Sequence, residues 1–187
     1  MTSKELLILI PEFDLIKDQQ LREASVSTML RAIEEGGWSG ADINKCPIKL
    51  DSHKGCPLGY VDFTRMLTSV ANELYDTLGE WINSMNPCDK DYVIAGALLS
   101  GIGRLLEYGI DEDGNACRSK FGELFRYPWP GANMAMENGL PLKVVHIVVS
   151  IDSAVSPGRG KVQTTAESVV VRNAEMICSG IINRLYP

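Results

Sequence analysis

Histidine is scarce in this chain, two residues in 187, and imidazole is the commonest ligand of catalytic metals. Cysteine offers no substitute. Cys46, Cys56, Cys88, Cys117 and Cys178 form an odd set without a C-x-x-C pair, so neither a zinc cluster nor a disulfide framework is indicated, and reduced thiols are expected. Cys46 and Cys56 flank a loop; either could be a nucleophile, but no Cys-His-acid arrangement is legible beside them. Basic residues are in deficit, 18 Lys and Arg against 24 Asp and Glu, for a net charge of −6. Without a basic run, a nucleic-acid backbone is excluded as the main partner. Long apolar runs are missing as well. The N-terminal "MTSKELLILIPEFDLI" carries a short one that stops at Pro11, too short for a signal sequence or a bilayer span. No membrane partner and a cytoplasmic location are therefore expected.

What is present is ordinary for a globular protein: 45% hydrophobic and 22% charged residues, in a length that suits one domain. Asp18 can cap a helix carrying Leu21, Val26, Met29, Leu30 and Ile33 at helical spacing, ended by Gly36 and Gly37. Residues 39–59 read as a long loop of the kind that covers a pocket. From Tyr60, the residues Phe63, Leu67, Val70, Leu74, Leu78 and Trp81 predict a long amphipathic helix. A third helix, about Asp89 to Tyr108, is apolar on nearly all sides, with Ser100 and Gly101 interrupting its pattern. Short helices are expected over 119–126 and 131–138, separated by "YPWPG", whose aromatics make a homodimer an open expectation. "VVHIVVSI" reads as a strand by propensity alone. Thr164 to Glu167 has the form of a capping box, with Val169, Asn173, Met176, Ile177, Ile181 and Leu185 following on one face. Trp38, Trp81 and Trp129 are expected as core anchors.

Helix order and local wording resemble the HD superfamily of metal-dependent phosphohydrolases. The central "AGALLSGIGRLLEY" is similar to that family's "AGALLHDIGKLLEY", "VDFTRMLT" to its "EHTRAVT", "VVHIVVSIDS" to its "VVHIIATHS", and "TTAESVVVRNAEMI" to its "TPEALIVHHADFV". The resemblance implies an all-α, single-domain HD-type helical bundle over 1–187, with N-terminal helices and a loop in 1–59 and the HD core in 60–187. It also makes residues 141–151 helical against their propensity. The departures are as informative as the matches. The family's first metal histidine falls on Phe63, its His-Asp pair on Ser100 and Gly101, two further histidines on Tyr127 and Ile151, and its closing aspartate on Glu175. Phe, Gly and Ile have no lone pair to offer a metal. No cofactor is expected, and a relocated metal would have to use His146, Asp62, Asp152 and Glu175.

The cavity implied by that fold would then be refilled. Candidate catalytic residues are Asp152, Tyr127, His146 and Asp62; candidate substrate-binding residues are Ser100, Arg104, Phe63, Arg172, Asn173 and Glu175. Each has a structural alternative: Arg104 a salt bridge to Glu107 or Asp62, Asp152 a loop cap, His146 a satisfied core histidine. His53 and Cys56 could close over the site from the long loop. The reading that follows is a metal-independent protein that binds a small, anionic organic molecule and performs acid–base chemistry on it as a lyase, isomerase or hydrolase. Two alternatives stand beside it: an inactive ligand-binding or protein-interaction module, and a phosphohydrolase with relocated ligands.

Overall fold

In the computed structural model, residues 1–50, 56–152 and 165–187 are described. Asp18 caps α2 (Gln19–Glu35) by accepting the Leu21 N–H at 2.9 Å. Gly37, at φ +71°, ends that helix in a left-handed turn whose Trp38 N–H bonds back to the Ile33 carbonyl. The turn aims the Trp38 indole at the Leu105 carbonyl, 2.7 Å away. A short α1 (Ser3–Leu9) precedes α2. The long α3 (Tyr60–Met85) begins after Gly59. Then α4 (Lys90–Leu99) runs through the middle, buried from Val93 to Leu99 on every side, with α2, α3, α7 and α8 packed around it. Gly96 permits the close approach of α7, because a Cβ there would overlap the Ile147 side chain.

The third helix is shorter than its apolar pattern predicts. It ends at Leu99, the chain turns through Ser100–Gly103, and a single turn, α5 (Arg104–Glu107), follows. Next come β1 (Tyr108–Ile110) and β2 (Ala116–Arg118), paired antiparallel with Tyr108 opposite Arg118. "DEDGN" stops the helix as expected, but as a hairpin turn: the Asp111 carboxylate accepts the N–H groups of Asp113 and Asn115, and Gly114 takes φ +82°. Strands of three residues are too short to show alternation.

Residues 119–126 form turns, not the predicted helix. The Ser119 hydroxyl accepts the Gly122 N–H and donates to the Leu106 carbonyl, an arrangement that competes with helix. The helix after them, α6 (Pro128–Glu137), starts three residues before its expected place because Pro128 suits a first helical turn, where no amide donor is needed. "VVHIVVSI" lies in α7 (Leu142–Ser150), where burial of Val144, Val145, Ile147 and Val148 overrides β propensity. The last helix, α8 (Ala166–Leu185), is capped by Thr165, which accepts the Ser168 N–H; Thr164 lies outside the described residues. The capping box read for Glu167 rests on Thr164 and so is not described, and Glu167 itself lies in the first turn of α8. Its buried carboxylate accepts the Asp89 N–H and the Lys143 ammonium at 3.1 and 2.8 Å. Burial alone would raise its pKa, but these donors hold it below the usual carboxylate value.

Apolar side chains gather in two clusters that share α4 and α7: one beneath α1, α2 and α6, the other between α3, α7 and α8. The buried face of α8 is Val170, Val171, Ala174, Cys178 and Ile182. The stripe read from the sequence, Val169 to Leu185, is the exposed one. Of the tryptophans only Trp38 is a core anchor; Trp81 and Trp129 are 62% and 59% exposed. The result is a predominantly all-α single domain with one small hairpin, and none of its described helices is long and apolar enough to cross a membrane.

Trp38→Phe deletes a buried hydrogen bond and is expected to lower the urea-unfolding free energy by about 1–3 kcal/mol, while Trp129→Phe stays within about 0.5 kcal/mol. Glu167→Gln is expected to be less stable than wild type at pH 7. The depressed pKa makes this contribution fully present above the ordinary carboxyl value of 4.5 and lost as pH falls through the native one, so the two unfolding curves should converge in acid.

Candidate functional site

The turn after α4 builds the site. Ser100 is buried and donates its hydroxyl to the Ala97 carbonyl at 3.0 Å. Gly101 has no side chain, and the space beside it is taken by Arg104: a Cβ on Gly101 would stand 2.8 Å from Arg104 Nη1. The Arg104 side chain folds back over the turn, its guanidinium carbon 4.2 Å from the centre of the Tyr127 ring and 5.4 Å from that of Phe63. These are favourable cation–π contacts. Arg104 is only 7% exposed, and its Nε is buried without a hydrogen-bond partner among the described residues. Burial works against its charge, but Tyr127, Tyr108, Glu175 and Cys46 together raise its pKa, so it stays a cation.

Tyr127 stands at the start of α6. Its N–H donates to Glu107 at 2.8 Å, and its carbonyl lies so close to Gly103 that any Cβ there would collide with it. Burial pushes the phenol's pKa up; the Arg104 charge pulls against this, and Asp152 and Glu175 add to it. The phenol is therefore protonated at neutral pH. Glu107, wholly buried, also accepts from Arg126 at 3.1 Å and Arg118 at 3.3 Å. It thus ties β2 and the turn segment to the start of α6. Sequence reasoning treated Glu107 only as a partner for Arg104; the available signal was a carboxylate closing an otherwise apolar helix.

The structure gathers Phe63, Tyr127 and Ile151 in one apolar cluster, with Ser100 and Arg104 buried at the α4–α5 turn and the charges of Asp152 and Glu175 acting on Tyr127. Glu175 is half-buried and accepts the Ser179 hydroxyl at 2.6 Å. Other candidates fall elsewhere. Asp62 accepts from Asn44 Nδ2 at 2.7 Å and from the Gly59 N–H at 3.2 Å, which fastens the start of α3; Arg104 pairs with neither it nor Glu107. Arg172 and Asn173 are exposed, and Asn173 donates to the Val169 carbonyl. On α8 the turn that carries them points away from the cluster that holds Val170, Val171 and Ala174. His146 is half-buried on α7; its Nε2 is buried without a hydrogen-bond partner among the described residues, and it makes no hydrogen bond to Arg104 or Tyr127. Cys46 is no nucleophile, because it is fully buried and its thiol is pushed up to about 12 by that burial. Cys56 is half-buried, and His53 lies outside the described residues.

These residues do not fit a divalent metal. Phe63, Gly101 and Ile151 offer no donor atom, the Ser100 hydroxyl is turned to its own helix, and the guanidinium beside Gly101 would repel a second cation. Among the described residues no three His, Cys, Asp or Glu side chains gather in a possible metal-binding group, so the relocated set is not assembled.

No protein-family model matches the chain, and no solved structure matches it. It is 26% identical over 163 residues to a dihydroneopterin 2′,3′-cyclic phosphate phosphodiesterase of Methanocaldococcus jannaschii, in an alignment spanning 86% of this chain and 63% of the relative. The chain thus spans less than two thirds of that relative's length.

Glu107→Gln is expected to lower unfolding free energy by about 1–3 kcal/mol, because it weakens the bonds that the buried carboxylate accepts from the Tyr127 amide and two partly exposed arginines; urea denaturation followed by circular dichroism measures it.

Proposed function

We propose that the chain binds a small organic molecule through an anionic group held by Arg104 and hydrolyses a phosphate ester on it without a divalent metal. The observation that carries this reading is the buried Arg104 cation with an unpartnered Nε. Leaving a buried donor unsatisfied costs about 1–3 kcal/mol, and more for a charged group. An incoming phosphate removes that cost. A guanidinium presents two parallel N–H groups to two oxygens of one phosphate, which an ammonium cannot do. The similarity to a cyclic phosphate phosphodiesterase supports the phosphate ester as the substrate class.

The residues around Arg104 supply the remaining chemistry of this proposal. The guanidinium neutralises charge on the phosphoryl oxygens as it builds up. Asp152 takes a proton from water while the water oxygen bonds to phosphorus, and the P–O bond to the leaving group breaks. The protonated Tyr127 phenol gives its proton to the departing oxygen and regains one from solvent. Phe63 and Ile151 keep the surroundings apolar, which strengthens each of these interactions. Asp62, His146, Arg172 and Asn173 take no part in this reading.

A second reading is favoured by Phe63 and Ile151, the apolar substituents that fill the same cluster: a module that binds the anion without turning it over. One set of measurements separates them, with inorganic phosphate as the binding probe and 2′,3′-cyclic AMP as the turnover probe, both in EDTA. Arg104→Gln is expected to abolish the phosphate-induced rise in melting temperature and, with it, turnover. Tyr127→Phe and Asp152→Asn are expected to keep the rise and lose turnover by about 100-fold or more. A phosphate response without turnover in wild type selects the binding module. Activity that EDTA abolishes, in protein purified with stoichiometric iron, manganese or nickel, overturns the metal-independent reading.

A further inference from the structure

The outward face of α8 is unusual for a helix that meets water. Its large exposed residues are Val169, Met176, Ile177, Ile181 and Leu185, between 44% and 68% exposed. The exposed charged residues on that helix are Arg172 and Arg184, while its carboxylates are half-buried at Glu175 and buried at Glu167. A solvent-facing helix ordinarily carries charged and polar side chains on that side.

α3 extends the same surface. α3 and α8 pack side by side over the second apolar cluster, with Val70, Leu74 and Ile82 half-buried along their contact. At the end of α3, Leu78, Trp81 and Met85 are 43%, 62% and 78% exposed. They lie close to the start of α8, because Asp89, four residues beyond Met85, donates its N–H to Glu167 in the first turn of α8. The exposed end of α3 therefore lies beside the first turn of α8, where the Val169–Leu185 stripe begins.

We infer that this α3–α8 face is the interface of a homodimer, its occupant being the same face of a second copy related by a two-fold axis. Two observations favour a second copy. The first is area: side chains of these sizes and exposures leave on the order of 800 Å² of apolar surface, what each partner of a standard stable interface contributes. The stripe from Val169 to Leu185 is also about 24 Å long, so that α8 can lie antiparallel along its own copy over its whole length. Gly180 sits within the stripe, and a Cβ there would meet nothing within 4 Å, which leaves room for close approach of a partner helix. The second is charge. A membrane-surface helix draws on a polar face rich in Lys and Arg, whereas this chain carries a net charge of −6 and only two arginines beside the stripe.

The aromatics near "YPWPG" are a weaker place for the same contact. Phe125 stacks on Trp129 and meets Phe121 at a tilt, with ring centres 6.0 and 5.0 Å apart, and so the three cover part of their own surface.

Sedimentation velocity on the whole chain at 50 µM tests the assignment. Wild type is expected at twice the 20.5 kDa of one chain. Ile177→Glu combined with Ile181→Glu, and separately Gly180→Arg, are expected to weaken association at least 100-fold and to sediment as monomers. Their far-UV circular dichroism should be unchanged, because all three positions are exposed. Leu124→Glu, 78% exposed beside the stacked aromatics, is expected to leave the dimer intact. A monomeric wild type at 50 µM, a dimer that survives both α8 variants, or one that only Leu124→Glu dissociates would overturn the assignment.

Discussion

A guanidinium can be buried among apolar side chains only if something answers its charge. In this protein the answer is distributed. The rings of Tyr127 and Phe63 lie against Arg104, and the Glu175 charge favours its ionised form. Each contributor comes from a different element, so the position of the cation depends on the whole arrangement of α3, α5, α6 and α8. Glu107 makes that arrangement rigid on one side. One turn after Arg104, it binds the Tyr127 amide and two arginines from the hairpin and the turn segment. The two glycines of the preceding turn complete the constraint: Gly101 leaves space for the Arg104 head group, and Gly103 lets the Tyr127 carbonyl approach.

The same constraint underlies the anion site proposed for this centre. A fixed monocation with an unused donor attracts negative charge and repels metal ions. Around it stand an aromatic hydroxyl that burial keeps protonated and two carboxylates whose fields reach that hydroxyl. Phosphate esters combine the two requirements of such a place, a charge for the guanidinium to hold and a leaving oxygen that needs a proton.

Reading the sequence located several of these parts and misplaced others for identifiable reasons. Asp18, the boundaries of α2 and the start of α3 were legible because capping and periodicity are local. α7 was legible only through a resemblance, since its β-branched run favours a strand until α4 and α6 bury it. Arg104 was visible as a candidate, but its partners were not, because the two carboxylates considered for it, Asp62 and Glu107, are bound at the start of α3 and by the Arg118 and Arg126 side chains. Asp62, Arg172 and Asn173 stood next to informative positions, yet a shift of one residue along a helix rotates a side chain by about 100°. That rotation is enough to take them out of the cluster.

α8 shows the limit most clearly. It carries two apolar stripes, and periodicity cannot tell which one a domain buries, since both satisfy the same spacing. The small residues Ala174 and Cys178 let the inner stripe approach α3 and α4, while the bulkier stripe faces outward. What the sequence alone determined is local: a predominantly helical chain, where α2, α3, α4 and α8 start, and side chains without lone-pair donors at Phe63, Gly101 and Ile151. The tertiary structure alone decided which face of α8 is covered, that Arg104 folds into the space beside Gly101, and that Glu107 holds Tyr127. These depend on distances between residues far apart in the chain, which no local spacing encodes.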